Sequence, residues 1–155
     1  MAVGVKVLNT VLIFLISIVP IFELRGSMPL ALALTDINPV VIFFICVALN
    51  ILIVPIIFKL LDLLAPPLVK RSKTIRSVFT WFVKRSYNRK WGLAGLATLV
   101  AVPLPGTGAW TGALIAYLLG MDRKHATLAI AAGVIAAGIM VMVGVVSIIT
   151  IMKIL

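Results

Sequence analysis

The sequence predicts an all-α integral membrane protein: an inverted repeat of two re-entrant helical hairpins, each followed by a transmembrane helix, plus an interfacial amphipathic helix. Three observations predict it. First, 63% of the 155 residues are apolar and only 12% are charged, and the mean hydropathy is +1.28. A soluble domain carries about 45–50% apolar and about 25% charged residues, and no water-soluble globule of this size can hide the difference. Second, two apolar runs are long enough to cross a hydrocarbon core about 30 Å thick, which takes about 20 helical residues. Third, two other apolar runs are broken by tips rich in Pro and Gly. The length leaves room for one membrane domain and no separate catalytic module.

Along the chain, residues 7–22 form an apolar run broken only by Asn9, Thr10, Ser17 and Pro20. A signal peptide is the first rival, since Lys6 precedes the run and Ala31-Leu32-Ala33 has cleavage-site spacing. Glu23 and Arg25 between the run and that site spoil the pattern. Glu23-Leu24-Arg25-Gly26-Ser27-Met28-Pro29 then reads as the polar tip of a hairpin, because the apolar stretch that follows, Leu30 to Leu34, is too short to span. Thr35 to Pro39 reads as a surface turn. Val40 to Phe58 is a full-length span with Asn50 and Pro55 inside it.

Residues 59–91 are the one polar stretch, with Lys70, Arg71, Lys73, Arg76, Lys84, Arg85, Arg89 and Lys90 and, after Asp62, no acid. Ile75, Val78, Phe79 and Phe82 recur at helical spacing, so about Thr74 to Ser86 is predicted to be the interfacial helix. The excess of Lys and Arg places this connection in the cytoplasm of a multi-pass protein of the cell (plasma or inner) membrane. Gly92 to Gly120 is interrupted by Pro103-Leu104-Pro105-Gly106-Thr107-Gly108, leaving two arms of about a dozen residues. At about 18 Å each, they reach only partway across. Ala126 to Met152 is the second long span, with a small-residue stripe of Ala129, Gly133 and Ala137 suited to close helix packing. The domain thus divides into repeat 1 (about 5–58), the basic connection (59–91) and repeat 2 (about 92–155). Because one span separates the hairpins, they enter from opposite faces, as in transporters with inverted repeats. This requires the N-terminus outside; a complete first span with the N-terminus inside is the alternative.

Composition narrows the chemistry. Fourteen Lys and Arg face four acids, Glu23, Asp36, Asp62 and Asp122, for a net charge of +10. The basic residues flank hydrophobic segments, which favours anionic lipid headgroups as partners over nucleic acid. The one cysteine, Cys46, excludes an internal disulfide, and with a single histidine it leaves no zinc or haem site, so no cofactor is expected. No Ser-His-Asp, HExxH, P-loop or GxSxG pattern is present, and no enzyme is expected.

Non-helical backbone at membrane depth must be buried in protein or line a wet cavity, so the two tips predict a polar cavity between them. Glu23 and Arg25 belong there as the functional charges; the structural alternative is that they pair with each other and orient the hairpin. Arg25 offers a planar fork for a phosphate or carboxylate. Glu23 could carry a proton. Gly106, Thr107 and Gly108 could present backbone N–H groups to an anion, or simply break a helix. Asn50 is either a cavity contact or an interhelical hydrogen bond. Thr111 and Trp110 flank the second tip, and His125 reads as a helix-start residue. Arg76, Lys84, Arg85, Arg89 and Lys90 form the surface expected to gather anionic headgroups.

The stretches Glu23-Leu24-Arg25-Gly26-Ser27-Met28-Pro29-Leu30 and Pro103-Leu104-Pro105-Gly106-Thr107-Gly108-Ala109-Trp110-Thr111-Gly112-Ala113 resemble the two signatures of the small multidrug export protein family, distant relatives of the DedA (SNARE-associated, VTT-domain) superfamily. The resemblance covers nearly the whole chain. It implies facing re-entrant hairpins, with Glu23, Arg25 and Gly26 at the first tip and Pro103, Pro105, Gly106 and Gly108 at the second. The DedA relationship implies lipid movement between leaflets, whereas the family's name implies drug export. The sequence departs from DedA in lacking an arginine just after Pro105-Gly106, which leaves Arg25 as the one anion-binding tip residue.

The expectation drawn from this is a transporter or scramblase for an anionic lipid of phospholipid or polyprenyl-phosphate type. Arg25 would hold the headgroup and Glu23 would pair with it or couple protons. The alternatives are a proton-coupled exporter of cationic amphiphiles centred on Glu23 and a non-transporting membrane scaffold. A homodimer would supply walls that so small a chain lacks around its cavity.

Overall fold

Each helix boundary has a local cause. The computed structural model describes residues 10–19, 22–71, 89–104 and 106–154, with the side chains of 65–71, 89–91, 153 and 154 excepted. Residues 10–16 are helical (α1). The backbone then tightens, with the N–H groups of Ser17, Ile18 and Val19 donating to the carbonyls of Phe14, Leu15 and Ile16 at 3.0–3.1 Å, the three-residue spacing with which α-helices commonly end.

The second helix, α2, is Glu23–Leu34. This corrects the expectation that Glu23 to Pro29 is a non-helical tip: the turn falls before Glu23, and the helix runs through Gly26 and Pro29. Breakers of this kind are tolerated in membrane helices packed against neighbours; Ser27 Oγ also donates to Glu23 O at 2.8 Å, within the first turn. At the other end Thr35 turns to extended backbone (φ −126°, ψ 150°). The turn predicted at 35–39 is present, and Asn38 Oδ1 accepts the N–H of Val40 at 2.9 Å, an N-cap for α3, Pro39–Arg71. That helix has 33 residues, longer than the predicted span of 40–58, because Leu60, Leu61, Leu63 and Leu64 continue its apolar surface past Lys59 and Asp62. The expected interfacial helix at 74–86 lies outside the described residues.

The second half begins with α4, Arg89–Ala101, and α5, Ala109–Leu118, of 13 and 10 residues. The predicted break lies between them, and at about 1.5 Å per residue neither, as described, reaches across about 30 Å. The end of α5 is sealed by Gly120 at φ 60°. Its N–H donates to Tyr117 O (3.1 Å) and that of Met121 to Ala116 O (2.9 Å), a Schellman cap that needs a residue without Cβ. Asp122 Oδ2 accepts the backbone N–H of His125 at 3.2 Å and meets its ring Nδ1 at 2.7 Å. These bonds hold the Asp122 carboxyl below the usual carboxylate range and start α6, Arg123–Ile154.

The order among the described residues is therefore short, short, long in each half. Among the described residues two stretches are long and apolar enough to cross a membrane, Pro39–Leu64 and Arg123–Met152, yet only 33% and 17% of their most apolar windows are buried. Phe44, Leu52, Leu63, Leu128 and Met152 are each more than 60% exposed. A soluble core helix would hide such side chains; this is a membrane protein whose outer face is made for lipid.

Inside, α6 is the common wall, packed against α2, α3, α4 and α5, with its broadest contact on α4. Gly133 allows that approach: a Cβ there would lie 2.6 Å from Ala97 O and 2.7 Å from Val100 Cβ. Ala126, Ile130, Val134 and Ala137 are buried along the same face.

Candidate functional site

The break at 102–108 leaves carbonyls without helical partners at the end of α4 and N–H groups without them at the start of α5. The end of α4 carries partial negative charge and the start of α5 partial positive charge. Both are met by one turn of α2, in which Glu23 and Arg25 stand two residues apart.

Arg25 takes the negative end. One of its terminal nitrogens donates to Leu104 O and to Thr107 Oγ1 (2.8 Å). The other donates to Val100 O (2.9 Å), Val102 O (2.8 Å) and, more weakly, Thr107 O (3.4 Å). The planar fork thus gathers carbonyls from Val100 to Thr107. The Thr107 hydroxyl is shared between Val102 O (2.8 Å) and Leu104 O (3.0 Å), so the loop is stitched to the guanidinium.

Glu23 takes the positive end. Its Oε1 accepts the N–H of Trp110 at 3.1 Å, and the residue is only 5% exposed. The carboxylate lies over Gly108, where a Cβ would collide with it; glycine there is a requirement of the approach. Glu23 itself has φ 44°, the one positive φ at a non-glycine among the described residues. Such a backbone costs on the order of 1–3 kcal/mol and persists where surrounding contacts over-determine it. The described ion pairs are Asp62–Arg123 and Asp122–His125; Glu23 and Arg25 are not paired with each other, and each binds the opposite end of the broken helix.

The remaining second-tip residues build the turn. Gly106 has φ 81°, and its carbonyl accepts the Thr111 hydroxyl. Pro103 lies exposed in the loop, and Pro105 lies outside the described residues. Gly26 sits on α2 against Phe22, away from the break. Asn50 resolves to an interhelical bond: its Nδ2 donates to Ser17 Oγ (2.7 Å), Ser17 O (3.2 Å) and Cys46 O (3.0 Å).

Among the described residues, the polar cavity expected between the tips is reduced to a small void. A void of about 10 Å³ remains, lined by Glu23, Arg25, Asn50, Val100, Gly108 and Ala137 among others, about the space of one water. The side chains of Arg25 and Glu23 occupy the break on either side of it. Five helices, α2 to α6, meet at this point.

Of the surface group, Arg76, Lys84 and Arg85 lie outside the described residues, and Arg89 and Lys90 open α4. Ser17 and the role of Trp110 were missed. The Trp110 Nε1–H donates to Ile18 O at 2.9 Å and ties the second tip to the turn after α1. A serine in an apolar run was the available signal for Ser17; the carbonyls held by Arg25 have no side-chain signature.

A family model described as "Putative small multi-drug export protein" matches residues 23–140, beginning at Glu23 and including the second tip. Comparison with curated proteins and with solved structures finds no match.

Proposed function

From the premise that the chain belongs to the small multi-drug export protein family, we propose that it exports small amphiphilic cations across the cell membrane in exchange for protons, with Glu23 as the exchanging group. The observation that carries this reading is the state of Glu23: a 5% exposed acid in no ion pair with any described residue, balanced by the N–H end of α5 and the nearby charge of Arg25. A proton or an organic cation can serve as counter-charge in place of that helix end. Because one carboxylate takes either, the two exchange.

In this reading α1–α2 and α4–α5 are facing re-entrant hairpins, α3 and α6 are spans, and the 59–91 connection is cytoplasmic. Glu23 bound to α5 is the closed state. Protonation or cation binding loosens its hold on the Trp110 N–H, and the void widens toward one face. Movement of an anionic lipid ranks second. The terminal nitrogens of Arg25 are already spent on Val100, Val102, Leu104 and Thr107, and a phosphate would have to displace them.

The test is ethidium efflux from loaded intact cells, driven by an inward proton gradient, comparing wild type with Glu23→Gln. Glutamine keeps an oxygen for the Trp110 N–H and removes the charge. The expected result is a folded protein whose efflux is lost. Unchanged efflux in Glu23→Gln would sink the proposal and favour a scaffold or a lipid pathway.

A further inference from the structure

A second feature stands apart from the tips and shares no residue with them. Between the later part of α3 and the start of α6 lies an open groove of about 490 Å³, lined by Pro55, Phe58, Lys59, Arg123, Lys124 and Leu128 among others. Arg123 is tied to Asp62 at 2.8 Å, so the groove lies where Lys59 and Asp62, the first charges after the apolar run 40–58 of α3, meet the charged start of α6 at Arg123. Three cations thus ring an apolar floor at the level where charge first interrupts the apolar surface of both helices.

We propose that this groove is a binding site for an anionic phospholipid, with the phosphate between Lys59 and Lys124 and an acyl chain against Pro55, Phe58 and Leu128. Charge complementarity and position select this occupant. The opposing acids are accounted for: Asp62 is engaged by Arg123, and Asp122 by His125. The ammonium groups of Lys59 and Lys124 are in no ion pair with any described residue. Lysines at a membrane surface attract anionic headgroups and keep their charge at the interface while their stems lie along apolar surface. A free anion would use the cations and leave the floor idle, whereas a lipid uses both. Leu128 is 69% exposed and continues the floor toward the lipid-facing side of α6. The inference is independent of Glu23 and stands or falls separately from the export reading.

The experiment titrates the full chain, purified in dodecyl maltoside, with dioleoyl-phosphatidylglycerol or dioleoyl-phosphatidylcholine and counts retained lipid by native mass spectrometry. Wild type is expected to retain the anionic lipid at about tenfold lower concentration than the zwitterionic one. The double variant Lys59→Gln, Lys124→Gln is expected to erase that preference with its unfolding temperature in detergent unchanged, and Leu128→Trp, which fills the floor, to weaken both lipids. Equal retention of both lipids by wild type would overturn the proposal without recourse to any variant. So would an intact preference in the double variant, or displacement of the lipid by an equal concentration of inorganic phosphate.

Discussion

Glu23 and Arg25 act on backbone, and their energetics follow from that. Arg25 satisfies several carbonyls with one rigid fork, which a lysine ammonium cannot reproduce, since it is a compact point charge with three donors. A hydrogen bond to a charged group contributes about 1.5–3 kcal/mol. Arg25→Lys is therefore expected to lower the thermal stability in detergent by at least about 1.5 kcal/mol, measured by unfolding monitored through intrinsic tryptophan fluorescence. Gly108→Ala makes the converse test. Its Cβ enters the space of the Glu23 carboxylate, so the acid must leave the α5 end. Overpacking of this kind costs about 1–3 kcal/mol, and the same unfolding measurement reads it. The matching change Gly95→Ala meets nothing within 4 Å and is expected to leave the protein as stable as wild type or slightly more so, since alanine is the better helix former by about 1 kcal/mol.

At the scale of elements, the broken pair α4–α5 is stable only as part of the bundle. Helices of 13 and 10 residues are marginal by themselves, and their ends are completed by side chains of α2. Their seat on α6 depends on small residues. Gly133→Ala places a methyl against backbone at Ala97 O, where no side chain can rotate away, so α4 and α6 must separate. The expected loss is about 1–3 kcal/mol. Gly144→Ala, on the same helix with nothing within 4 Å, is expected to be neutral or mildly stabilising. Thermal unfolding of the two variants side by side checks the contrast; equal behaviour would mean that the α4–α6 contact does not set stability. The stripe Ala129, Gly133 and Ala137 is thus divided in its roles, because Gly133 carries the closest approach while Ala129 is only half-buried.

For the molecule as a whole, the outer surface decides behaviour. Large apolar side chains lie exposed along both long helices, so the protein requires lipid or detergent, and the polar contacts concentrate inside. Cys46 lies in that interior, fully buried and within 3.6 Å of Ser27 Oγ. In intact cells and in detergent alike it is expected to resist a membrane-impermeant maleimide until the bundle is unfolded. Labelling of folded protein, read by mass shift, would show that the core between α2 and α3 opens readily. The exposed Asp62–Arg123 pair at the bundle edge belongs to a different class. Surface ion pairs contribute about 0–1 kcal/mol, and its value here is to hold α3 and α6 in register beside the cationic groove.

Sequence by itself determined the membrane class, both long spans, the break at 102–108 and the prominence of Glu23 and Arg25. Each follows from a local rule: apolar length against bilayer thickness, proline and glycine against helix continuity, and the cost of charge in hydrocarbon. Only the tertiary structure decided what the charges do. That Arg25 gathers carbonyls at the end of α4 and that Glu23 caps α5 across Gly108 are facts about backbone groups 75 or more residues away. Those groups are the same in every residue, so they leave no trace in sequence. A side chain announces its charge; its partner, when it is a peptide carbonyl or N–H, is revealed only when the helix ends are brought to it.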